Sequence, residues 1–223
     1  DYVDIYYKSQ LLKDRKKYKY KLYGGRVFTD YYNKRFGIND KEIIWQQPLS
    51  DKQIKKLKIF WNSCFANYTF LGKLLMFFSK SLNNYKLLKY PRMKYIPSLK
   101  RPNDFIYKGN FNYSRNTVSW QRTEIFKIVH SEIDTKRLNI YSYYKLLEKT
   151  KILISPFGWG EINYKDYEAF IYGNLLYKTD ISHIETWPDL FIKNKTYIPF
   201  RWDLKNFNLN SLKNKFEQFA IIA

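Results

Sequence analysis

One stretch constrains the fold more than any other. Lys151-Ile152-Leu153-Ile154-Ser155 is a short apolar run with the continuity of a strand buried on both faces. Pro156-Phe157-Gly158-Trp159-Gly160 reads as a loop. Tyr164 to Tyr172 carries an amphipathic helical pattern closed by Gly173, the residue type that accepts the left-handed backbone just past a helix. Leu175-Leu176-Tyr177-Lys178 returns to strand and ends at Thr179-Asp180. Strand, loop, helix and strand in such a short span fit a right-handed βαβ unit of a parallel sheet.

The flanking segments repeat the alternation. Asp104-Phe105-Ile106-Tyr107 reads as a strand ending at Lys108-Gly109, followed by a helix from Thr117 to Ser131. Leu138-Asn139-Ile140-Tyr141 reads as a further strand, and Tyr143 to Leu147 as a helix. Tyr197-Ile198-Pro199-Phe200 is the last strand and Ser211 to Ala220 the last helix. The fold class expected is α/β: a Rossmann-type parallel sheet over residues 101–223, with strands near 104–107, 138–141, 152–155, 174–178 and 197–200.

Residues 1–100 are expected to form a partial, more helical domain. Residues 2–7 alternate like a strand, and Gly24-Gly25 marks a turn. Residues 26–48 read as irregular. Ser50, with Gln53 three positions later, signals a capped helix start, and the helix is expected to run to about Leu82. Its segment 59–78 approaches bilayer-spanning length, but Asn62, Asn67, Gly72 and Lys73 interrupt it, so a core helix packed on protein is the expectation. A basic connector with Pro91 and Pro97 leads to a boundary near residue 100. The chain opens at Asp1 with a strand already under way, which reads as a fragment lacking elements at both ends.

Composition limits the function classes. With 45% hydrophobic and 20% aromatic residues the chain is not intrinsically disordered. A single cysteine, Cys64, excludes a disulfide scaffold, and two histidines, His130 and His183, argue against a His-rich metal centre. The net charge of +20 suggests nucleic acid, but the basic residues are mostly lysine, whereas arginine is the better reader of phosphates and bases. The charge is also uneven: residues 1–100 hold 22 basic and 7 acidic side chains, and residues 101–223 hold 18 and 13. The basic segment 8–21 is either a solvated face or a contact with an anionic membrane or polyanion.

Candidate site residues cluster after the strand at 151–155. Gly158 and Gly160 allow a ligand close to the backbone, and the first turn of the next helix offers free N–H groups to a phosphate. Glu161 and Glu168, seven positions apart, are expected to share a helix face. A carboxylate such as Glu168 accepts paired hydrogen bonds from sugar hydroxyls, and a helix acid in a salt bridge is the competing reading.

These residues resemble the donor-binding half of GT-B glycosyltransferases of the group-1 and exostosin-like set. The resemblance rests on Ser155-Pro156-Phe157-Gly158, on Glu168-Ala169 with Gly173, and on the strand from Leu175 to Asp180. Lys108-Gly109, Arg115, Trp120-Gln121-Arg122, Ser182-His183-Ile184-Glu185-Thr186-Trp187-Pro188, Tyr197-Ile198-Pro199 and Trp202-Asp203 extend it, covering about residues 104–203. It implies that Glu168 binds the nucleotide ribose, and that Ser155, Pro156, Phe157, Gly158, Gly160, Gly109 and Arg115 lie around the donor. Catalytic roles are expected for Glu161, Arg122 and His183, and because strand 152–155 ends at the carboxyl edge of the sheet, Glu168, Gly158 and Gly160 are expected to converge on one cleft between the two halves that faces Arg122. Many retaining members place seven residues between two glutamates. Here six separate Glu161 from Glu168, and Gly160 stands where the first would be, which leaves the stereochemistry of transfer open.

The function expected is transfer of a sugar from a nucleotide-sugar to a glycan or lipid-linked acceptor in surface polysaccharide synthesis. No metal and no cofactor besides the nucleotide-sugar co-substrate is expected. Partners are the donor, the acceptor and an anionic membrane touched by the basic first half, with a cytoplasmic or membrane-peripheral location. The alternatives are a basic nucleic-acid-binding or ribosome-associated protein, and a glycosyltransferase fold that serves only to bind a partner. Among single residues, His183 is either a base for an acceptor hydroxyl or a loop histidine capping backbone. Lys178 is a phosphate partner or a surface charge, Asp180 a turn residue, and Trp187 a packing residue or a sugar platform.

Overall fold

The computed structural model describes residues 3–62, 72–83 and 93–222. The fold is mixed α/β around a four-stranded parallel sheet, an arrangement compatible with a Rossmann-like domain. Its strands are β4 (Asn103–Ile106), β5 (Thr150–Ser155), β6 (Leu175–Thr179) and β8 (Tyr197–Phe200), and they lie side by side in chain order. The register pairs Ile152 with Leu175 and Leu153 with Leu176, so successive residues face opposite sides of the sheet. Ile106, Leu153, Leu176 and Tyr197 meet one face, under α5 (Ile140–Glu148) and α6 (Tyr164–Tyr172). Ile152, Ile154, Leu175 and Tyr177 meet the other, under α4 (Asn116–Val129) and α7 (Asn210–Ile222). Burial on both faces explains why β5 and β6 read as unbroken apolar runs.

Four of the five expected strands are present and parallel. The fifth is corrected. Leu138 to Tyr141 is not a strand: Asn139 is the N-cap of α5 and its side chain accepts from the Ser142 backbone N–H at 2.8 Å. A capping asparagine between two β-branched or large apolar residues mimics strand alternation, and the cap bond decides in favour of helix. Gly173 closes α6 with φ 62°, as its position predicts.

In the first half the differences are larger. β1 (Tyr6–Lys8) pairs in parallel with β3 (Leu57–Ile59), and β2 (Gln10–Leu12) pairs antiparallel with β7 (Ile184–Thr186). The basic segment 8–21 is therefore partly strand, followed by a 3-10 turn over Arg15–Lys19. Residues 26–48 are not wholly irregular, because α1 (Val27–Phe36) lies within them and ends at Gly37 in the left-handed region. The Gly24-Gly25 turn is present, with φ 70° and 74°. The capping box of Ser50 and Gln53 is also present, but α2 (Asp51–Lys55) stops after five residues and the chain turns into β3. A continuous helix to Leu82 is thus ruled out. A separate helix, α3, covers Gly72–Ser81. Cys64, Asn67 and Pro91 lie outside the described residues. Among the described residues no helix is long and apolar enough to cross a membrane.

The two halves share a core. Leu11, Leu12, Tyr18, Phe28 and Tyr32 pack into the same cluster as Leu153, Phe157, Leu176 and Tyr197. Phe28 meets Phe157 at 4.7 Å between ring centroids, and Phe36 stacks on Trp120 at 4.3 Å. Asp40, in the segment after α1, accepts from the backbone N–H of Thr117 at 2.8 Å and from Arg115 Nε at 3.0 Å. A carboxylate from the first half therefore caps the first turn of α4.

Candidate anion and carboxylate site

The carboxyl ends of β4 and β5 lead into loops 107–115 and 156–163, and both loops close on Arg122. Arg122 sits on the buried face of α4 with Val118, Gln121 and Ile125, and is only 5% exposed. Its Nε donates to the Phe157 carbonyl at 2.6 Å. A methyl group placed on Gly109 would lie 3.1 Å from Nη1, and one on Gly158 3.0 Å from Nη2. Glycine at these two positions is what allows both loops so near the guanidinium. Tyr113 covers the group, its ring centroid 5.3 Å from Cζ, and meets Trp159 edge-on at 5.5 Å. No acidic side chain forms an ion pair with Arg122 among the described residues.

A second cation stands nearby. Lys165, in the first turn of α6, is pulled down to about 8, chiefly by burial and then by the repulsion of Arg122. Lys108, in the loop after β4, is ion-paired at 3.1 Å with the exposed Asp134, and its charge also disfavours the ammonium of Lys165. A buried guanidinium whose charge is felt by a second, largely protonated ammonium is an unfavourable arrangement until an anion joins it.

Both helix N-termini at this edge are already answered by protein carboxylates. Asp40 serves α4, and Asp166 reaches back to the Asn163 backbone N–H at 2.8 Å to serve α6. At α6 this carboxylate answers the N–H of the N-cap residue, Asn163, which precedes the first turn. Ser155 is committed in the same way, donating its hydroxyl to Asp166 at 2.6 Å. Lys178 is neither a phosphate partner nor a surface charge. Its ammonium lies 2.9 Å from Asp166, both side chains are fully buried, and burial lowers its pKa.

The expected convergence is only partly met. Gly158 faces Arg122, but Gly160 faces Arg26 of the first half, 3.9 Å from where its Cβ would stand. Glu161 is not on the helix, so it does not share a face with Glu168. It is buried, and its Oε2 accepts from Gln10 Nε2 at 2.6 Å and Arg26 Nη1 at 2.8 Å. Glu168 points toward α5, accepting from the hydroxyls of Tyr143 at 2.7 Å and Tyr144 at 3.3 Å. Burial raises its pKa above the usual carboxylate range, while the tyrosines and Lys165 oppose the shift.

The remaining residues are placed as follows. Phe157 is core, packed on Phe28 and Trp202, and its carbonyl rather than its ring serves the site. Pro156 accepts from Asn163 Nδ2 at 3.1 Å. Arg115 bridges Asp40 and the Gly24 carbonyl and is not free for a ligand. His183 lies edge-on to Trp202 at 5.0 Å, and its backbone carbonyl, not its ring, accepts from Lys13. Burial lowers its pKa, and its Nε2 has no hydrogen-bond partner among the described residues. Asp180 accepts from the Ser182 N–H at 2.8 Å, as a turn residue does. Trp187 packs edge-on to Trp61 at 4.9 Å. Lys165, Arg26 and Gln10 were not singled out from sequence. Lys165, three positions before Glu168 and just after a glycine loop, is the one whose spacing carried a signal.

No family model, curated protein or solved structure matches the chain.

Proposed function

We propose that the chain forms the donor-binding side of a GT-B glycosyltransferase that uses a nucleotide-sugar, in the synthesis of a surface polysaccharide. The observation that carries this reading is the unpaired, buried Arg122 between Gly109 and Gly158 at the carboxyl edge of a parallel sheet, with Lys165 near enough for the two charges to repel. Ligands of open α/β folds bind outside this edge. The spacing supports a nucleoside diphosphate in particular. Lys165 and Glu168 stand one turn apart on α6, about 5 Å along the axis, which suits a phosphate at one and a ribose at the other. Tyr113 and the half-exposed Trp159 offer aromatic faces at the mouth. In this reading Arg122 and Lys165 stabilise the charge that develops on the departing diphosphate, and the fixed guanidinium needs no reorganisation to do so.

The test is calorimetric titration of UDP and GDP into the wild-type protein and Arg122→Gln, at two salt concentrations. At least one nucleotide should bind, and Arg122→Gln should weaken it roughly tenfold or more, the size of a charge-assisted hydrogen bond. Gly158→Ala, which pushes on the same guanidinium, should act in the same direction. If neither nucleotide binds, or if Arg122→Gln binds as well as wild type, the reading fails. Binding of single-stranded RNA that collapses with salt, without nucleotide binding, would favour the basic nucleic-acid-binding alternative.

A further inference from the structure

One helix of the first half is turned the wrong way round for a helix packed on protein. In α3 the buried positions are Gly72 and Ser79, seven apart and so on one face. Ser79 is 3% exposed, and its hydroxyl donates back to the Met76 carbonyl at 2.8 Å. The large apolar side chains lie on the other side. Leu74, Phe77, Phe78 and Leu82 are all exposed, Phe77 by 64% and Leu82 by 68%. Their positions follow the i, i+3, i+4, i+8 spacing of a single helical stripe. The Leu82 N–H donates to the Phe78 carbonyl at 2.9 Å, which carries the helical turn through to Leu82. The expectation of a core helix packed on protein is corrected for this face.

Charge indicates what the stripe would meet. From Lys52 to Asn103 the sequence holds twelve basic residues and no acidic one. Lys73 and Lys80 fall within α3, and Lys86 and Lys89 follow in the sequence. The segment 93–100 has the same make-up, with Met93, Ile96 and Leu99 exposed beside exposed Lys94 and Lys100. Exposed phenylalanine and leucine joined to lysine, without acids, is the composition of a helix that lies in the headgroup layer of an anionic bilayer. Length agrees: the 10 residues of α3 measure about 15 Å, against roughly 30 Å of hydrocarbon core, so the helix can lie on a bilayer but is too short to cross it.

Other occupants fit less well. A nucleic acid would engage the lysines and leave the apolar stripe in water. A second copy would cover the stripe but bring lysines against lysines. The basic segment 8–21 lacks the apolar half of the pattern. Its Leu11, Leu12 and Tyr18 are buried in the core, and its Arg15 and Lys19 pair with Glu185 and Asp51.

We propose that α3 docks the protein on an anionic membrane surface, inserting Leu74, Phe77, Phe78 and Leu82 at the headgroup layer while lysines of the same acid-free run meet acidic lipid. This docking does not rest on the glycosyltransferase reading.

The experiment co-sediments the full chain with vesicles of phosphatidylcholine, alone or with about one-third phosphatidylglycerol, at low and high salt. Binding to the anionic vesicles should exceed binding to the neutral ones at least tenfold, and part of it should survive high salt, because apolar contacts are not screened. Phe77→Ser combined with Leu82→Ser, both at exposed positions, should lower anionic-vesicle binding roughly tenfold or more and leave the melting temperature and any nucleotide binding unchanged. Lys13→Gln combined with Lys16→Gln, exposed positions of segment 8–21, should lower it less than about threefold. Phe77→Trp supplies an independent readout: acyl-chain-brominated phosphatidylglycerol vesicles should quench this variant more than they quench the wild-type protein. The proposal is overturned if the wild type does not bind anionic vesicles, if the Phe77 and Leu82 double variant binds them normally, if the lysine pair matters more, or if Phe77→Trp shows no extra quenching. It is also overturned if the double variant instead loses RNA binding, or if it turns a wild-type dimer into a monomer, which would give the stripe to a second copy. Nucleotide binding without vesicle binding would remove this docking assignment alone. Vesicle binding without nucleotide binding would remove the transferase reading alone.

Discussion

The Nε of Arg122 donates to the Phe157 carbonyl at 2.6 Å, and this one bond ties a helix side chain to the loop after β5. Phe157 is itself locked between Phe28 and Trp202, so the guanidinium is held by the core and not by the ligand it would bind. Preorganisation of this kind lowers the ordering cost of binding. It also makes the site sensitive to changes that leave the fold intact.

Gly158→Ala illustrates this. The new methyl group would stand 3.0 Å from Nη2, the far end of a flexible side chain. The backbone can stay and the guanidinium must shift. A melting temperature within a few degrees of wild type is expected, about 2–4 °C per kcal/mol for a chain of this size. Nucleotide affinity in the same preparation should fall severalfold, read by calorimetry.

Lys165 sets a pH dependence. Its ammonium is held at about 8 by burial and by Arg122, so it is largely charged below that pH and neutral above it. A bound phosphate would raise this pKa, and the complex would therefore take up a proton above pH 8. Once the terminal phosphate is fully ionised, above about pH 7, nucleotide affinity should hold up to about pH 8 and decline above it. Lys165→Met should show weaker affinity at neutral pH and no such decline.

Glu168 allows stability and binding to be separated. Its folded-state pKa is raised by burial, so the ionised form destabilises the fold at pH values above the unfolded pKa, and that cost disappears as the pH falls. Glu168→Gln removes the buried charge, keeps an acceptor oxygen for one of the hydroxyls of Tyr143 and Tyr144, and offers its amide N–H to the other. Thermal melts at pH 8 should show equal or higher stability than wild type, with the advantage shrinking toward pH 5. Nucleotide affinity should fall about tenfold, the worth of a hydrogen bond to a charged group.

The buried pair of Lys178 and Asp166 should behave in the opposite way. Lys178→Met leaves an uncompensated carboxylate where no water reaches, at a cost of about 3–5 kcal/mol. Chemical denaturation should show a loss of that size. Pairing it with Asp166→Ala should be less harmful than the sum of the two single changes, because the second substitution removes the stranded charge.

Asp40→Ala tests the joint between the halves. It removes the cap of α4 and the partner of Arg115 together, so a loss of roughly 3 kcal/mol is expected in denaturant melts. Asp40→Asn keeps a capping oxygen and should cost less.

What could be read directly from the chain were the features that local chemistry decides. The apolar runs at β5 and β6, the left-handed Gly173 and the capping box at Ser50 each depend on residues within a few positions of one another. Two segments show the limit. Asn139 within an alternating pattern looks like strand until its cap bond is counted, and the helix begun at Ser50 ends because Leu57 to Ile59 find a parallel partner in β1. That partner lies some fifty residues away, beyond the reach of any local pattern.

The same division holds at the site. Sequence by itself marked Gly158, Glu161, Glu168 and Arg122 as residues with chemistry to perform. Tertiary structure decided which of them meet. Gly158 and Gly109 close on Arg122, Glu161 turns to Gln10 and Arg26, and Glu168 turns to two tyrosines. The physical reason is that a buried charge must find its partners wherever the packed chain supplies them. For Glu161 those partners come from residues 10 and 26, more than a hundred positions upstream.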